Sequence, residues 1–149
     1  MDTKDSMYAT QRLRDFGIGV TQPRILILDY LDKHRTHPTV DTIYNDLHTE
    51  HPSLSRTTVY NNVQTLAHCG AILMLSIDQT HINVDGDTTP HAHLLCTECG
   101  KIYDLPLQGM LKEEAEEYPL TIEGHAIEEI HQYFKGVCVE CQQPHEVAL

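Results

Sequence analysis

The chain has 149 residues, a length that suits one mid-sized domain or two small ones. No run of about 18 apolar residues occurs, and the N-terminal stretch lacks an apolar signal region, so we expect a cytoplasmic protein with no membrane partner. The net charge of −12 is uneven: residues 1–80 carry seven Lys/Arg and nine Asp/Glu, and residues 81–149 carry three and thirteen. The first part can therefore hold a local basic surface, whereas the second should avoid polyanions and attract cations.

Capping and turn residues predict a helical first part. Four short helices are indicated: residues 7–16, one opening at Thr21, one opening at Thr39, and one from Ser55 to Gly70. The apolar segments 71–77 and 81–85 flank a turn-like DQT and predict a β-hairpin. Helices followed by a hairpin are typical of a winged-helix DNA-binding domain, to which we assign residues 1–84.

The fourth predicted helix has two unlike faces. Val59, Val63 and Leu66 form a stripe that suits a core. The alternative interpretation of the opposite face is an ordinary solvated helix face. Such faces are usually rich in Lys and Glu, and this one has neither. It carries side chains that can contact base edges: Thr57, Tyr60, Asn61 and Gln64. Together with Arg56, which suits a phosphate contact in the first turn, they predict a recognition helix for the major groove.

Residues 85–149 are predicted to form a small α/β domain. The pattern indicates a strand, a C-x-x-C turn, a strand, a helix at about 107–118, another strand and a second C-x-x-C. A unit of this size has little core and usually depends on a metal or on oligomerisation. The chain as a whole is therefore assigned to the α+β class, with a winged-helix domain followed by a dimerisation domain.

The five cysteines fall into two groups. Cys96, Cys99, Cys138 and Cys141 form two C-x-x-C pairs, which favour a closed tetrahedral zinc site. The alternative is a thioredoxin-like dithiol, but that motif needs only one pair and normally starts a helix. Cys69 stands alone and is interpreted as a small helix residue.

A second metal site is predicted from strand parity. In HAHLLC, side chains alternate between faces, so His91 and His93 share one face and Cys96 points to the other. Asp85 and Asp104 are nearby carboxylates, and a His/Asp set suits iron, manganese or zinc. The alternative is that these are solvated loop residues. Four further candidates cannot be ranked by spacing: His81, Asp87, His125 and His131.

Four motifs in order resemble the ferric-uptake-regulator (Fur) family of metal-responsive repressors, from about residue 8 to residue 142. They are HPTVDTIYNDL, TTVYNNVQTL, HAHLLCTECGKIYDL and GVCVEC, and within the family the peroxide regulators are most similar. The resemblance implies structural Zn²⁺ on the four paired cysteines. It also implies regulatory Fe²⁺ or Mn²⁺ on five residues: His37, Asp85, His91, His93 and Asp104. The family's wing strand often ends in Arg-Tyr where this chain has Asn83 and Val84.

The function implied by the resemblance is that of a repressor, not an enzyme. It would be a homodimer on double-stranded DNA with a palindromic operator, and the regulatory metal would join the DNA-binding domain, through His37, to the acidic domain. Peroxide would oxidise His37 or His91 and release the metal. The nearest alternative is an iron- or manganese-level-responsive repressor. A metalloenzyme and a zinc-storage protein are alternatives from other classes.

Overall fold

The computed structural model describes residues 3–109, 112 and 120–142, with side chains from Met7 onward. The chain forms two compact units, Met1–Thr88 and Thr89–Leu149. The first unit contains four helices and a hairpin: α1 Thr3–Asp15, α2 Gln22–Lys33, α3 Val40–Glu50, α4 Arg56–His68, β1 Leu73–Leu75 and β2 Asn83–Asp85. Asp85 ends β2 within this unit, which continues four residues past the predicted boundary at residue 84.

Local side-chain hydrogen bonds start two of the helices. The hydroxyl oxygen of Thr39 accepts the backbone N–H of Thr42, and that of Ser55 accepts the N–H of Thr58, each at 3.1 Å. Thr21 is the N-cap residue of α2, as predicted, but its side chain accepts no cap hydrogen bond. Its backbone carbonyl accepts the N–H of Ile25 at 3.1 Å and so starts the helix.

The first unit has a continuous apolar core. The stripe of α4 is fully buried, with Val59, Val63 and Leu66 all at 0% exposure, and it packs with side chains from the other three helices. The hairpin joins this core through Val84, which pairs with Met74 in the antiparallel β1–β2 register. These contacts give α4 one fixed face toward the core and leave its polar face outward.

The second unit is built on a mixed sheet. β3 Ala92–Cys96 lies between antiparallel β4 Ile102–Leu105 and parallel β7 Gln132–Gly136, and a separate hairpin joins β5 Leu120–Ile122 to β6 His125–Ile127. Residues 107–109 are not helical, and most of the helix predicted at about 107–118 lies outside the described residues. Among the described residues, few apolar side chains of this unit are buried: Ala92, Cys96, Leu107, Leu120 and Cys138.

The α+β class predicted from the sequence is confirmed. Within the described ranges, none of the helices has the length and apolar character needed to cross a bilayer.

Candidate metal centres and nucleic-acid interface

The four paired cysteines meet in the second unit. Cys96 ends β3, and Cys99 follows in a tight turn that closes at Gly100, whose φ of 75° suits glycine. The parallel β3–β7 pairing sets Cys96 opposite Gly136, and this brings the second C-x-x-C turn beside the first. The sulfur atoms of Cys96, Cys99, Cys138 and Cys141 all lie within 4.8 Å of one another.

The electrostatics of this cluster suit a thiolate shell. The Cys96 sulfur accepts the backbone N–H groups of Cys99 at 3.5 Å and Cys138 at 3.4 Å, and these hydrogen bonds lower the pKa of Cys96 to about 6. The hydrogen bond between the side chains of Cys141 and Cys138 raises the pKa of Cys141 to about 12. The backbone N–H donors therefore stabilise the thiolate of Cys96, which is the form of cysteine that binds a metal.

The spacing of the sulfurs also fits zinc. In a tetrahedron with Zn–S bonds of about 2.3 Å, neighbouring sulfurs lie about 3.8 Å apart. The sulfurs of Cys99 and Cys138 are 3.8 Å apart, too far for a disulfide. The four thiols therefore form a cluster whose size fits a tetrahedral cation such as Zn²⁺.

Two imidazoles of the second unit converge on one carboxylate oxygen. His91 Nε2 lies 3.0 Å and His93 Nε2 3.4 Å from Asp104 Oδ1. The β3–β4 register explains this, because His93 and Asp104 are direct partners and His91 lies two residues before His93 on the same face. The Nδ1–H of His91 donates to the Thr89 carbonyl at 2.6 Å, since a carbonyl only accepts.

The other ring nitrogen of His91, Nε2, faces Asp104. In a neutral ring with Nδ1 protonated, Nε2 carries a lone pair that faces a carboxylate oxygen, and a shared cation stabilises this arrangement. Ligand atoms on a metal with bonds of about 2.1 Å lie about 3.0 Å apart in octahedral and about 3.4 Å apart in tetrahedral geometry. The two distances lie within this range, which is also that of an ordinary hydrogen bond, so the three residues are spaced as ligands of one metal can be.

The first unit holds a second pair of potential ligands. His37 Nε2 lies 3.4 Å from Asp85 Oδ2, and both side chains are more than 90% buried. A buried carboxylate is costly unless it is paired or binds a cation. The backbone N–H of Asp87 donates to Asp85 Oδ1 at 2.9 Å, which orients the carboxylate.

The backbone of His37 is strained and is held by the hairpin. Its φ of 54° is uncommon for a residue with a side chain. The Asn83 side-chain amide donates to the His37 carbonyl at 2.8 Å, and the Val84 N–H donates to the Pro38 carbonyl at 2.8 Å. Asn83 stands where the family's wing strand often has arginine, and its role in positioning His37 has no signal in the sequence.

The other predicted candidates lie elsewhere. Asp87 acts through its backbone on Asp85, and His81 pairs with Asp78 at 3.3 Å in the exposed hairpin turn. His125 is exposed on β6. His131 contacts Glu129 at 2.9 Å and the Tyr133 hydroxyl at 3.0 Å. Among the described residues of each unit, none of these histidines joins the two ligand groups above.

The polar face of α4 is exposed. All five residues assigned to DNA contact are exposed: Arg56, Thr57, Tyr60, Asn61 and Gln64. Arg56 forms an ion pair with Asp41 of α3, and the Tyr60 hydroxyl donates to the same Asp41 oxygen at 3.1 Å. Sequence reasoning missed Asp41, because a first-turn acidic residue is already explained by the helix dipole.

Residues 15–130 match the Ferric uptake regulator family. The chain is 33% identical over 135 residues to the peroxide operon regulator of Bacillus subtilis, covering 91% of this chain and 92% of the relative. It is 35% identical over 135 residues to the peroxide-responsive repressor PerR of Staphylococcus aureus, covering 87% and 86%. The resemblance to peroxide regulators predicted from the motifs is thereby confirmed.

Solved structures share the fold. A ferric uptake regulator from Francisella tularensis with iron has a TM-score of 0.64 at 22% identity, covering 86% of this chain and 97% of that one. A zinc uptake regulator complexed with zinc and DNA has a TM-score of 0.63 at 18% identity, covering 95% and 96%. At these identities the likeness shows the fold alone, and the family assignment comes from the sequence matches. The chain belongs to the ferric uptake regulator family.

Proposed function

We propose that this protein is a homodimeric, metal-dependent transcriptional repressor that releases DNA when hydrogen peroxide oxidises a metal-binding histidine. The observation that carries the proposal is two histidine–carboxylate groups, one in each unit and both separate from the four thiols, in a chain more than 30% identical to two peroxide regulators. The four thiols would hold a structural Zn²⁺. A closed thiolate shell leaves no open position for a substrate, which favours a regulator over an enzyme.

DNA binding is proposed for the outward face of α4. In a winged-helix domain this helix enters the major groove, where Tyr60 and Asn61 would contact bases and Arg56 a phosphate. Thr57 and Gln64 lie on the same face and complete the set. A homodimer with two such helices would recognise a palindromic double-stranded operator. Exposed apolar side chains of the second unit, Ile122, Phe134 and Val139, support self-association.

A single regulatory Fe²⁺ or Mn²⁺ is proposed to take ligands from both units. His37 and Asp85 come from the first unit, and His91, His93 and Asp104 come from the second. These metals take about four to six ligands, and neither group supplies that number alone. Shared binding would set the spacing of the two recognition helices in a dimer, which must match half-sites separated by about 34–36 Å per helical turn. Metal binding and DNA binding would then strengthen each other reciprocally.

Peroxide sensing would follow from the ligand type. Bound Fe²⁺ supplies the redox chemistry that cleaves the O–O bond of H₂O₂. The imidazole ring of His37 or His91 gains one oxygen atom at carbon, and the second oxygen leaves as water. An oxidised ring is a poorer ligand, so His37 would no longer join the first unit to the metal and the repressor would lose affinity for DNA.

The test combines DNA binding with peptide mass spectrometry on protein loaded anaerobically with Fe²⁺ or Mn²⁺. An operator is first selected from random duplexes with the Mn²⁺ form. We expect both metal forms to bind it, and low H₂O₂ to release only the Fe²⁺ form while adding one oxygen to His37 or His91.

Three other outcomes would contradict the proposal in different ways. Loss of DNA binding without ring oxidation, or equal peroxide responses of both metal forms, would favour a repressor of the same family that responds to iron or manganese level. Absence of metal-dependent DNA binding would instead favour a zinc-storage protein or a metalloenzyme. As a matched control, His125→Ala removes an exposed histidine of β6 outside both ligand groups and should leave the peroxide response unchanged.

A further inference from the structure

We infer that Asp41 is a further residue of the DNA interface: its carboxylate holds Arg56 and Tyr60 in the free protein and competes with DNA for them, with a phosphate for Arg56 and with a base for Tyr60. The inference rests on the proposed DNA-binding function of α4 and adds to it a residue on a different helix. Asp41 lies in the first turn of α3, and one of its oxygens receives both the Arg56 guanidinium and the Tyr60 hydroxyl.

The geometry of the contact resembles that of a phosphate contact. A carboxylate and a phosphate both accept charge-assisted hydrogen bonds from arginine through anionic oxygens. Arg56 also lies over the ring of Tyr44, with its guanidinium carbon 4.7 Å from the ring centroid, so its side chain has a defined place in the free protein. A DNA phosphate that binds Arg56 must therefore replace Asp41 as its anionic partner.

The composition of α4 makes this single pair important. Arg56 is the one Lys or Arg among its thirteen residues, so Asp41 neutralises the only permanent cation of the helix. The carboxylate borders a cavity of about 260 Å³ that is also lined by Tyr60, Gln64 and His81 of the hairpin turn. A negative charge at this edge repels the DNA backbone at the place where the proposed recognition helix would approach it.

The pair is exposed enough to open. Arg56 and Asp41 each keep 55% of their side-chain surface accessible, and exposed ion pairs are weak because water and salt screen them. Asp41 would therefore reduce affinity for DNA by a small factor without preventing binding. Its acidic position at the start of α3 also suits the helix dipole, and that role alone predicts an effect on stability and none on DNA.

The experiment compares Asp41→Asn with the wild type in its Mn²⁺ form, using fluorescence anisotropy on random-sequence duplex DNA over a salt series. Asparagine keeps the size and the acceptor for Tyr60 but removes the charge. We expect Asp41→Asn to bind about two- to fivefold more tightly, the range that an exposed ion pair represents. We also expect a steeper salt dependence, because Arg56 then exchanges counterions with DNA alone.

Two matched variants locate the effect. Glu50→Gln removes the same charge from the other end of α3, about 13 Å along the helix axis at about 1.5 Å per residue, and should change affinity little. In an Arg56→Ala background, Asp41→Asn should change the DNA affinity by no more than Glu50→Gln does. If Asp41→Asn still increased DNA affinity without Arg56, the competition for Arg56 would be refuted. The effect would then come only from the change in net charge.

A measurement without DNA tests the contact itself. Burial and the hydrogen bond to Asp41 raise the pKa of Tyr60 in the wild type. In Asp41→Asn the tyrosine should ionise at lower pH, seen as a difference in phenolate absorbance against matched Tyr60→Phe variants. Unchanged or weaker DNA binding by Asp41→Asn would refute the inference while leaving the proposed function intact. Failure of the wild type to bind any DNA would refute both.

Discussion

Replacing Cys96 with serine should remove zinc and unfold the second unit while the first unit stays folded. Cys96 is fully buried, and its sulfur accepts two backbone N–H groups from the turns that carry Cys99 and Cys138. A serine hydroxyl does not ionise near neutral pH and is a poor zinc ligand. The variant would therefore leave three thiols without the fourth corner of a closed tetrahedral shell.

The expected loss of stability is large because few side chains other than the cysteines are buried in the described part of this unit. Among its described residues, Leu107 and Leu120 are the large aliphatic side chains in the interior, and each contributes about 1.5–3 kcal/mol. Their sum of about 3–6 kcal/mol is smaller than the free energy of Cys₄ zinc binding, which is on the order of 10 kcal/mol. Loss of zinc should therefore remove the larger part of the stabilisation of this unit.

The assay is zinc content per chain combined with peptide-level hydrogen exchange. We expect Cys96→Ser to lose its zinc, to exchange β3 and β7 at rates close to those of an unfolded chain, and to keep slow exchange in α2 and α4. Cys69→Ser is the matched control, because Cys69 lies outside the cluster and its sulfur only donates to the Leu66 carbonyl at 3.3 Å. A zinc-free Cys96→Ser protein with protected β3 amides would refute the reasoning.

Three smaller predictions concern the first unit. Asn83→Ala removes the amide that donates to the His37 carbonyl, and should lower the free energy of unfolding by about 1–3 kcal/mol and weaken Mn²⁺ binding; an unchanged Mn²⁺ dissociation constant would show that His37 is positioned without it. Tyr30→Phe removes a 2.5 Å hydrogen bond to Asp46 and should cost about 1 kcal/mol in urea unfolding. Burial and Asp46 raise the pKa of Tyr30, so this contribution should be present at neutral pH and decline above about pH 10, where the unfolded phenol ionises; a constant difference up to pH 11 would contradict it. Tyr60→Ala should cost about 1–3 kcal/mol at the selected operator and relax its specificity, and unchanged affinity in a competition assay would show that α4 is not the recognition helix.

Much of the secondary structure of the first unit could be predicted, because it depends on residues that are close together in the sequence. Thr39 and Ser55 cap their helices through atoms three residues away, and the burial of Val59 and Val63 follows from helical periodicity. Thr21 also occupies the predicted cap position of α2, although its side chain makes no cap hydrogen bond.

The Cys₄ cluster could be predicted for a related reason. Two C-x-x-C turns carry their ligands in pairs, so only one long-range contact has to be assumed to complete the shell. The structure supplies that contact as the parallel β3–β7 pairing, which no pattern along the chain predicts.

By itself the sequence determined the helices with their faces, the hairpin, the pairing of cysteines and, through its motifs, the family. Only the tertiary structure decided that Asn83 holds the strained backbone of His37 and that Asp41 forms an ion pair with Arg56. The sequence predicted that Asp104 is near the two histidines, and the β3–β4 register made it the direct partner of His93. The physical reason is the range of the interactions. Caps and periodic stripes depend on atoms within about one helical turn, whereas these three contacts join residues between 11 and 46 positions apart, where packing and strand register set which side chains meet.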